Sequence, residues 1–229
     1  MRNILFLVGI VVAIAIASHF AFDVSREGKS SVFIIMAAPT VLLAAAGLAK
    51  AHYDGVLRDW LTPKGGDFTR GFAGAALLFG AAYAFRKVIA PLDGSPHARW
   101  FIRLYTQIGD PAELRKNVGM VVVAIIIMAI AEEIVWRGLV TTLLEERFGS
   151  RRAWIYAAVL YALAHVPTIW QLKDPAVGMN PIIVLAALGA GLLWGFFARR
   201  WGRLFPGIFS HILFDWTVIM MFRLWGPSA

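Results

Sequence analysis

Long apolar runs separated by short polar connections dominate the pattern of this 229-residue chain. Crossing the roughly 30 Å of hydrocarbon in a bilayer takes about 20 mainly apolar residues, and most of the runs approach that length. The runs cover residues 4–22, 31–49, 71–90, 110–148, 153–170, 181–198 and 204–225. The pattern predicts an all-α fold, a polytopic transmembrane helix bundle of about seven spans, or eight if one connection is re-entrant. The first run also resembles a signal peptide, but it is long for that role and more spans follow.

The fourth run is longer than a bilayer requires. Asp110 is a suitable N-cap, and Pro111 suits the first helical position. A helix from there to Phe148 would be about 55 Å long at 1.5 Å per residue. We therefore expect this helix to be tilted, to extend beyond the membrane, or to break near Gly119 or Gly138.

The composition supports a membrane protein and limits the classes of partner that it can bind. Hydrophobic residues make up 59% of the chain and charged residues 16%, whereas soluble domains carry about 25% charged residues. The net charge of +8 lies mainly at the ends of apolar runs, as expected for contact with lipid headgroups rather than nucleic acid. The segment 99–105 mixes aromatic and basic residues, which fits either an interfacial helix or an ordinary loop. We predict one integral membrane domain, 1–229, whose partners include the bilayer and not nucleic acid.

Ionisable residues inside the apolar runs are the main indication of function, because they are costly in lipid. Glu132, Glu133 and Arg137 directly follow an apolar stretch of the fourth run. Glu133 and Arg137 are four residues apart with the acid first, the favourable order for an intrahelical ion pair. Glu132 is rotated by about 100° around the helix, so it cannot share that pair. The spacing predicts one locally paired acid and one uncommitted acid that faces the bundle interior.

Two later runs carry further polar pairs at helical spacing. Tyr161 and His165 lie one turn apart in the fifth run, and His211 and Asp215 lie one turn apart in the seventh. A carboxylate and an imidazole can activate water, and other donors can bind the oxyanion of a tetrahedral intermediate. A single membrane histidine is often only a packing residue. Three polar sites on separate runs instead favour a hydrolytic site inside the bundle.

The three motifs together resemble those of the CAAX-protease and bacteriocin-processing family, also called the abortive-infection family. This family includes the Ras-converting prenyl-protein endoproteases, and its patterns are EExxxR, FxxxH and HxxxN or HxxxD. The matching residues, between 119 and 222, are Glu132, Glu133 and Arg137, then Tyr161 and His165, then His211 and Asp215. Tyr161 replaces the usual Phe, which adds a hydroxyl that needs a partner, and Asp215 stands where the prenyl-protein endoproteases carry Asn.

The resemblance implies an intramembrane endopeptidase of glutamic type with no metal or other cofactor. Glu132 would activate water with help from His165, and His211 and Asp215 would form the oxyanion pocket. Glu133 and Arg137 would be a supporting pair. We expect Asp215 to fix the tautomer of His211 rather than to donate a hydrogen bond itself. The substrate would be a membrane-associated protein or peptide with a lipidated C-terminus, a leader or a sorting segment, in a prokaryotic cytoplasmic membrane.

Other functions remain open from the residues alone. A zinc peptidase could use His165, His211 and one carboxylate as ligands, although the chain lacks His-Glu-x-x-His. A serine peptidase using Ser210 would lack the Gly-x-Ser-x-Gly elbow. Buried Glu and His residues also occur in proton-coupled transporters, but no paired repeats are evident. A non-catalytic bacteriocin-immunity or binding protein is the remaining alternative. The chain has no cysteine, so thiolate chemistry is excluded.

Overall fold

Long helices form the framework of the protein in the computed structural model, which describes residues 2–91 and 94–224. Six helical stretches among them are long and apolar enough to cross a membrane. They are Asn3–Ala21, Ser31–Tyr53, Asp67–Ile89, Val118–Phe148, Arg151–Gln171 and Ile182–Trp201. A shorter apolar helix, Phe205–Met220, corresponds to the predicted seventh run. The all-α helical bundle is confirmed, and the predicted end of the seventh run at Trp225 lies outside the described residues.

The helices in chain order are as follows. They are α1 (Arg2–Ala21), α2 (Ser31–Tyr53), α3 (Leu57–Leu61), α4 (Asp67–Ile89), α5 (Ala98–Ile108), α6 (Pro111–Lys116), α7 (Val118–Glu133), α8 (Thr141–Phe148), α9 (Ser150–Ala164), α10 (Thr168–Gln171), α11 (Ile182–Trp201) and α12 (Phe205–Trp216). Segments with π-helical geometry join α7 to α8 (Ile134–Val140) and follow α12 (Thr217–Leu224).

The predicted long fourth helix is interrupted twice. Asn117, rather than Gly119, separates α6 from α7, and its backbone leaves helical geometry at φ −111°, ψ 26°. The second interruption is the π segment around Gly138, where the Thr141 hydroxyl donates to the Trp136 carbonyl at 2.8 Å. A Cβ on Gly138 would lie 2.5 Å from the Trp60 ring. The wide turn and the glycine together let the chain bulge inward against Trp60.

The aromatic and basic segment forms a helix, α5, and not an ordinary loop. Gln107 is fully buried and donates to the Ala21 carbonyl at 3.1 Å. Arg103 pairs with Glu27 at 2.7 Å, and Arg99 binds Asp174 through its Nε at 2.9 Å. These bonds connect α5 to the end of α1 and to the loop between α10 and α11.

Close helix contacts position α12 inside the bundle. A Cβ on Gly71 would lie 2.7 Å from Phe209, so α4 and α12 approach each other at the glycine. At the N-terminal end of α4, buried Asp67 accepts hydrogen bonds from Arg203 Nε at 2.8 Å and Nη2 at 2.7 Å. This bidentate pair raises the pKa of the Arg203 side chain, because Arg203 donates its hydrogen bonds to the Asp67 carboxylate. The pair fixes the loop that leads into α12, and hence the start of the helix that carries His211.

Small residues on α11 have different roles along the helix. Cβ atoms on Gly191 and Gly195 would lie 3.1 Å from Ala158 and 3.3 Å from the Trp154 carbonyl, respectively. Gly189 has nothing within 4 Å of such an atom. The close approach predicted for α11 therefore involves Gly191 and Gly195, which face α9.

Candidate active site

The paired acid of the fourth run is buried where α7 meets the π segment. Arg137 Nη1 donates to Glu133 Oε1 at 3.0 Å, and the two side chains are 2% and 1% exposed. This confirms the ion pair predicted from the spacing of the two residues. The pair is not self-contained, however, because His211 Nδ1 lies 3.1 Å from the same Glu133 oxygen. Glu133 thus connects the π segment to α12.

The second acid, Glu132, points away from the Glu133–Arg137 pair, as its rotation of about 100° around the helix predicted. Tyr161 donates its hydroxyl hydrogen to Glu132 Oε2 at 2.6 Å. The hydroxyl that distinguishes Tyr161 from the family's usual Phe therefore has a partner, and that partner is the Glu132 carboxylate. The Glu132 side chain is 12% exposed, so it remains accessible from within the bundle.

His165 ends α9 and is held through its backbone and one ring nitrogen. Nδ1 lies 2.8 Å from the Tyr161 carbonyl, which can only accept, so Nδ1 carries a hydrogen. In the neutral ring, Nε2 then presents a lone pair. The Thr168 hydroxyl donates to the His165 carbonyl at 2.7 Å where α9 gives way to the turn. This arrangement leaves Nε2 available to accept a hydrogen bond.

His211 lies among three carboxylates. Nδ1 contacts Glu133, while Nε2 is 3.4 Å from Asp215 Oδ2 and 4.0 Å from Glu132 Oε2. We expected from the sequence that Asp215 would fix the tautomer of His211, but it is Glu133 that lies against Nδ1. Asp215 instead faces Nε2 from one turn further along α12. The long-range contact with Glu133 could not be read from spacing along the chain.

Trp194 on α11 also belongs to the cluster, although no sequence motif indicated it. Its side chain is 1% exposed. Its ring stacks on His211 with centroids 3.8 Å apart and an interplanar angle of 22°. Its Nε1 donates to Ser210 Oγ at 3.0 Å. Ser210 is fully buried and accepts this bond, which favours a structural role for it over that of a nucleophile.

Two cavities adjoin the polar cluster. The α4-side cavity, of about 220 Å³, lies between α4, α5, α11 and α12 and is lined partly by His165, His211 and Asp215. The α2-side cavity, of about 250 Å³, is lined partly by Glu132, His165 and Asp215 together with apolar residues of α2 and α7. Because His165 and Asp215 line both cavities, the polar cluster forms the wall between two otherwise mainly apolar spaces.

Gly207 permits the close approach of α12 to the buried ion pair. A Cβ at this position would lie 2.9 Å from Glu133 Oε2, a buried oxygen that accepts no hydrogen bond in the described part of the chain.

We expect Gly207→Ala to destabilise the protein by about 1–3 kcal/mol, because the buried carboxylate must shift. Unfolding followed in detergent would measure this loss. The matched control is Gly189→Ala, which introduces the same methyl group into open space, and an equal effect of both substitutions would contradict the assignment.

Comparison with known proteins finds one family similar to the segment that carries the polar cluster. Residues 114–217 match the family described as Type II CAAX prenyl endopeptidase Rce1-like. No curated protein and no solved structure matched the chain significantly. The matched segment contains all seven motif residues and extends from α6 to the end of α12. Six helices among the described residues are able to span a membrane, so the protein is a multi-pass membrane protein, and its segment 114–217 is similar to the Rce1-like family of CAAX-type endopeptidases.

Proposed function

We propose that this protein is an intramembrane endopeptidase that hydrolyses a peptide bond with a water molecule activated by Glu132 and His165. The observation that carries the proposal is the common wall of the two cavities, where Glu132, His165, His211 and Asp215 converge from three separate helical segments. A substrate in either cavity meets His165 and Asp215, together with His211 on the α4 side and Glu132 on the α2 side.

Water activation follows from the hydrogen bonds of the cluster. Tyr161 orients the Glu132 carboxylate through Oε2, which leaves the other oxygen to receive a proton from water. The Nε2 lone pair of His165 accepts the second hydrogen of the same water and orients its oxygen. The water oxygen bonds to the carbonyl carbon as its proton passes to Glu132. When the C–N bond breaks, that proton passes to the leaving amine.

His211 is the proposed donor to the oxyanion. Its Nδ1 hydrogen bonds to Glu133, so donation from Nε2 requires a proton on both nitrogens. The Asp215 carboxylate, 3.4 Å from Nε2, can hold that proton between turnovers. As negative charge develops on the substrate oxygen, Nε2 turns its hydrogen bond toward it. Glu133 and Arg137 act as the support that keeps the ring in place.

The metal-free reaction is preferred to a zinc reaction. Among the described residues, no group of three or more His, Asp and Glu side chains is arranged to hold a metal ion. Acceptors hold Nδ1 of both histidines, a carbonyl for His165 and Glu133 for His211, so Nε2 is the nitrogen of each ring that faces the reaction.

Treatment with a strong chelator is expected to leave the activity unchanged. The protein would be dialysed against EDTA and 1,10-phenanthroline, and its metal content measured alongside its rate of peptide cleavage. Loss of cleavage that Zn²⁺ restores would replace the metal-free mechanism by the zinc alternative.

The proposed substrate is a membrane-associated protein or peptide cleaved near a lipidated C-terminus, a leader or a sorting segment. The mainly apolar linings of both cavities support a substrate with apolar groups next to the scissile bond. In a host whose membrane contains no prenylated proteins, the substrate would be a peptide precursor.

The membrane peptidome of cells that contain the wild type, Glu132→Gln or Glu146→Gln would test the proposal. Glu146 is the matched control because it lies in the same chain segment but pairs with Lys50, away from the cluster. We expect at least one membrane precursor to accumulate uncut only in the Glu132→Gln cells. Identical peptidomes in all three strains would favour the non-catalytic binding alternative.

A further inference from the structure

Arg137 and His211 lie against the same indole ring. The Arg137 guanidinium carbon is 5.1 Å from the Trp194 centroid, and the His211 ring stacks on Trp194 at 3.8 Å. Arg137 also lies 4.8 Å from the Tyr161 centroid. The cation therefore contacts one ring from α9 and one from α11, and both rings touch proposed catalytic groups.

The indole itself is anchored to α12. Its Nε1 donates to Ser210, the residue directly before His211. The same helix thus provides both the hydrogen-bond acceptor that fixes the indole and the imidazole that stacks on it. Rotation of His211 about its side-chain bonds would give up the stacking contact and the bond to Glu133 together.

We propose that Trp194 is a positioning residue that fixes the plane of the His211 ring, and that Ser210 anchors Trp194 for this purpose. The proposal rests on the proposed function of the site, since the orientation of His211 matters for catalysis only if His211 donates to an oxyanion. Glu133 fixes one ring nitrogen, and once Nε2 turns from Asp215 to the oxyanion, that single bond leaves the ring free to rotate about it. The flat contact with Trp194 removes this freedom and directs Nε2 toward Asp215 and the α4-side cavity.

The NMR signal of His211 provides a test that does not depend on activity. The protein would be labelled with ¹³C at its five histidines in detergent micelles, and His211→Gln would assign the signal. Because an aromatic face shields protons above it, the His211 carbon-bound protons are expected upfield of the other histidines. Trp194→Leu should move them downfield, whereas Trp194→Phe combined with Ser210→Ala should keep most of the shift. The control Trp154→Leu removes an indole that packs on Gly195 and Phe196 and not on His211, and it should leave the signal unchanged.

Turnover of a farnesylated CAAX peptide, used as the model substrate, provides the second readout. Trp194→Leu is expected to lower kcat by roughly 10–100-fold with little change in KM, because misplacing a catalytic group by about 1 Å lowers the rate by up to about 100-fold. Trp194→Phe with Ser210→Ala should recover most of the rate. If Trp194→Leu does not fold, Ser210→Ala alone decides, since it should broaden or shift the His211 signal and lower kcat.

The His211 signal and kcat together distinguish a failure of the positioning role from a failure of the proposed function. An unchanged His211 signal in Trp194→Leu, or in Ser210→Ala where that variant decides, would overturn the positioning role. A changed signal with an unchanged kcat would also overturn it, because the ring plane would not matter for the reaction. A wild type that cleaves neither the model peptide nor a native precursor would instead refute the proposed function, while the signal still decides whether Trp194 orients the ring.

Discussion

Replacing Glu132 with Gln is expected to reduce peptide cleavage by about 100–10,000-fold, the usual contribution of a general base. The amide oxygen can still accept the hydrogen bond from Tyr161, so the side chain keeps its place while it loses the ability to take a proton. The rate of precursor cleavage by purified protein in proteoliposomes would measure the effect.

A folding control must accompany this measurement. We expect Glu132→Gln to unfold in detergent at nearly the wild-type temperature, because no buried ion pair is broken. Glu146→Gln should retain full activity. Cleavage by Glu132→Gln at more than about a tenth of the wild-type rate would remove Glu132 from the role of base.

Replacing Arg137 with Met is expected to have the largest effect on stability. The substitution leaves the fully buried Glu133 carboxylate without its cation, and removing one partner of a buried pair costs about 3–5 kcal/mol. The contacts of the guanidinium with Tyr161 and Trp194 are lost as well. Unfolding in detergent would measure the loss.

The double variant Glu133→Gln with Arg137→Met separates charge from packing. It removes both charges, so we expect it to recover much of the stability lost in Arg137→Met. It should remain inactive, because the amide no longer supports His211 as the carboxylate does. A double variant no more stable than Arg137→Met would show that packing, rather than the unpaired charge, sets the cost.

The sequence predicted those features of the site that depend on helical spacing. The Glu133–Arg137 pair and the separate orientation of Glu132 follow from residue positions on one helix, and the structure confirms both. The apolar runs predicted the spans because crossing a bilayer requires their length and composition. The resemblance to the CAAX-protease family is also confirmed, over residues 114–217.

The features that were missed depend on how helices rotate and pack against one another. Trp194 lies among the apolar residues of α11, and nothing in its sequence surroundings distinguishes it from an interfacial tryptophan. The contact of Glu133 with His211 joins residues 78 positions apart, and Gly207 allows it by leaving room beside the carboxylate. A break near Gly119 was predicted, but its exact position is at Asn117, whose own backbone conformation interrupts the helix.

Hydrolysis by Glu132-activated water is tested most directly with the precursor that accumulates in Glu132→Gln cells. The purified precursor would be incubated with wild-type protein in proteoliposomes prepared in H₂¹⁸O and without added metal. Our account predicts a single cut whose new C-terminal carboxyl group contains one ¹⁸O atom, and no cut with Glu132→Gln. An uncut precursor with the wild type, or the same labelled product with Glu132→Gln, would contradict it.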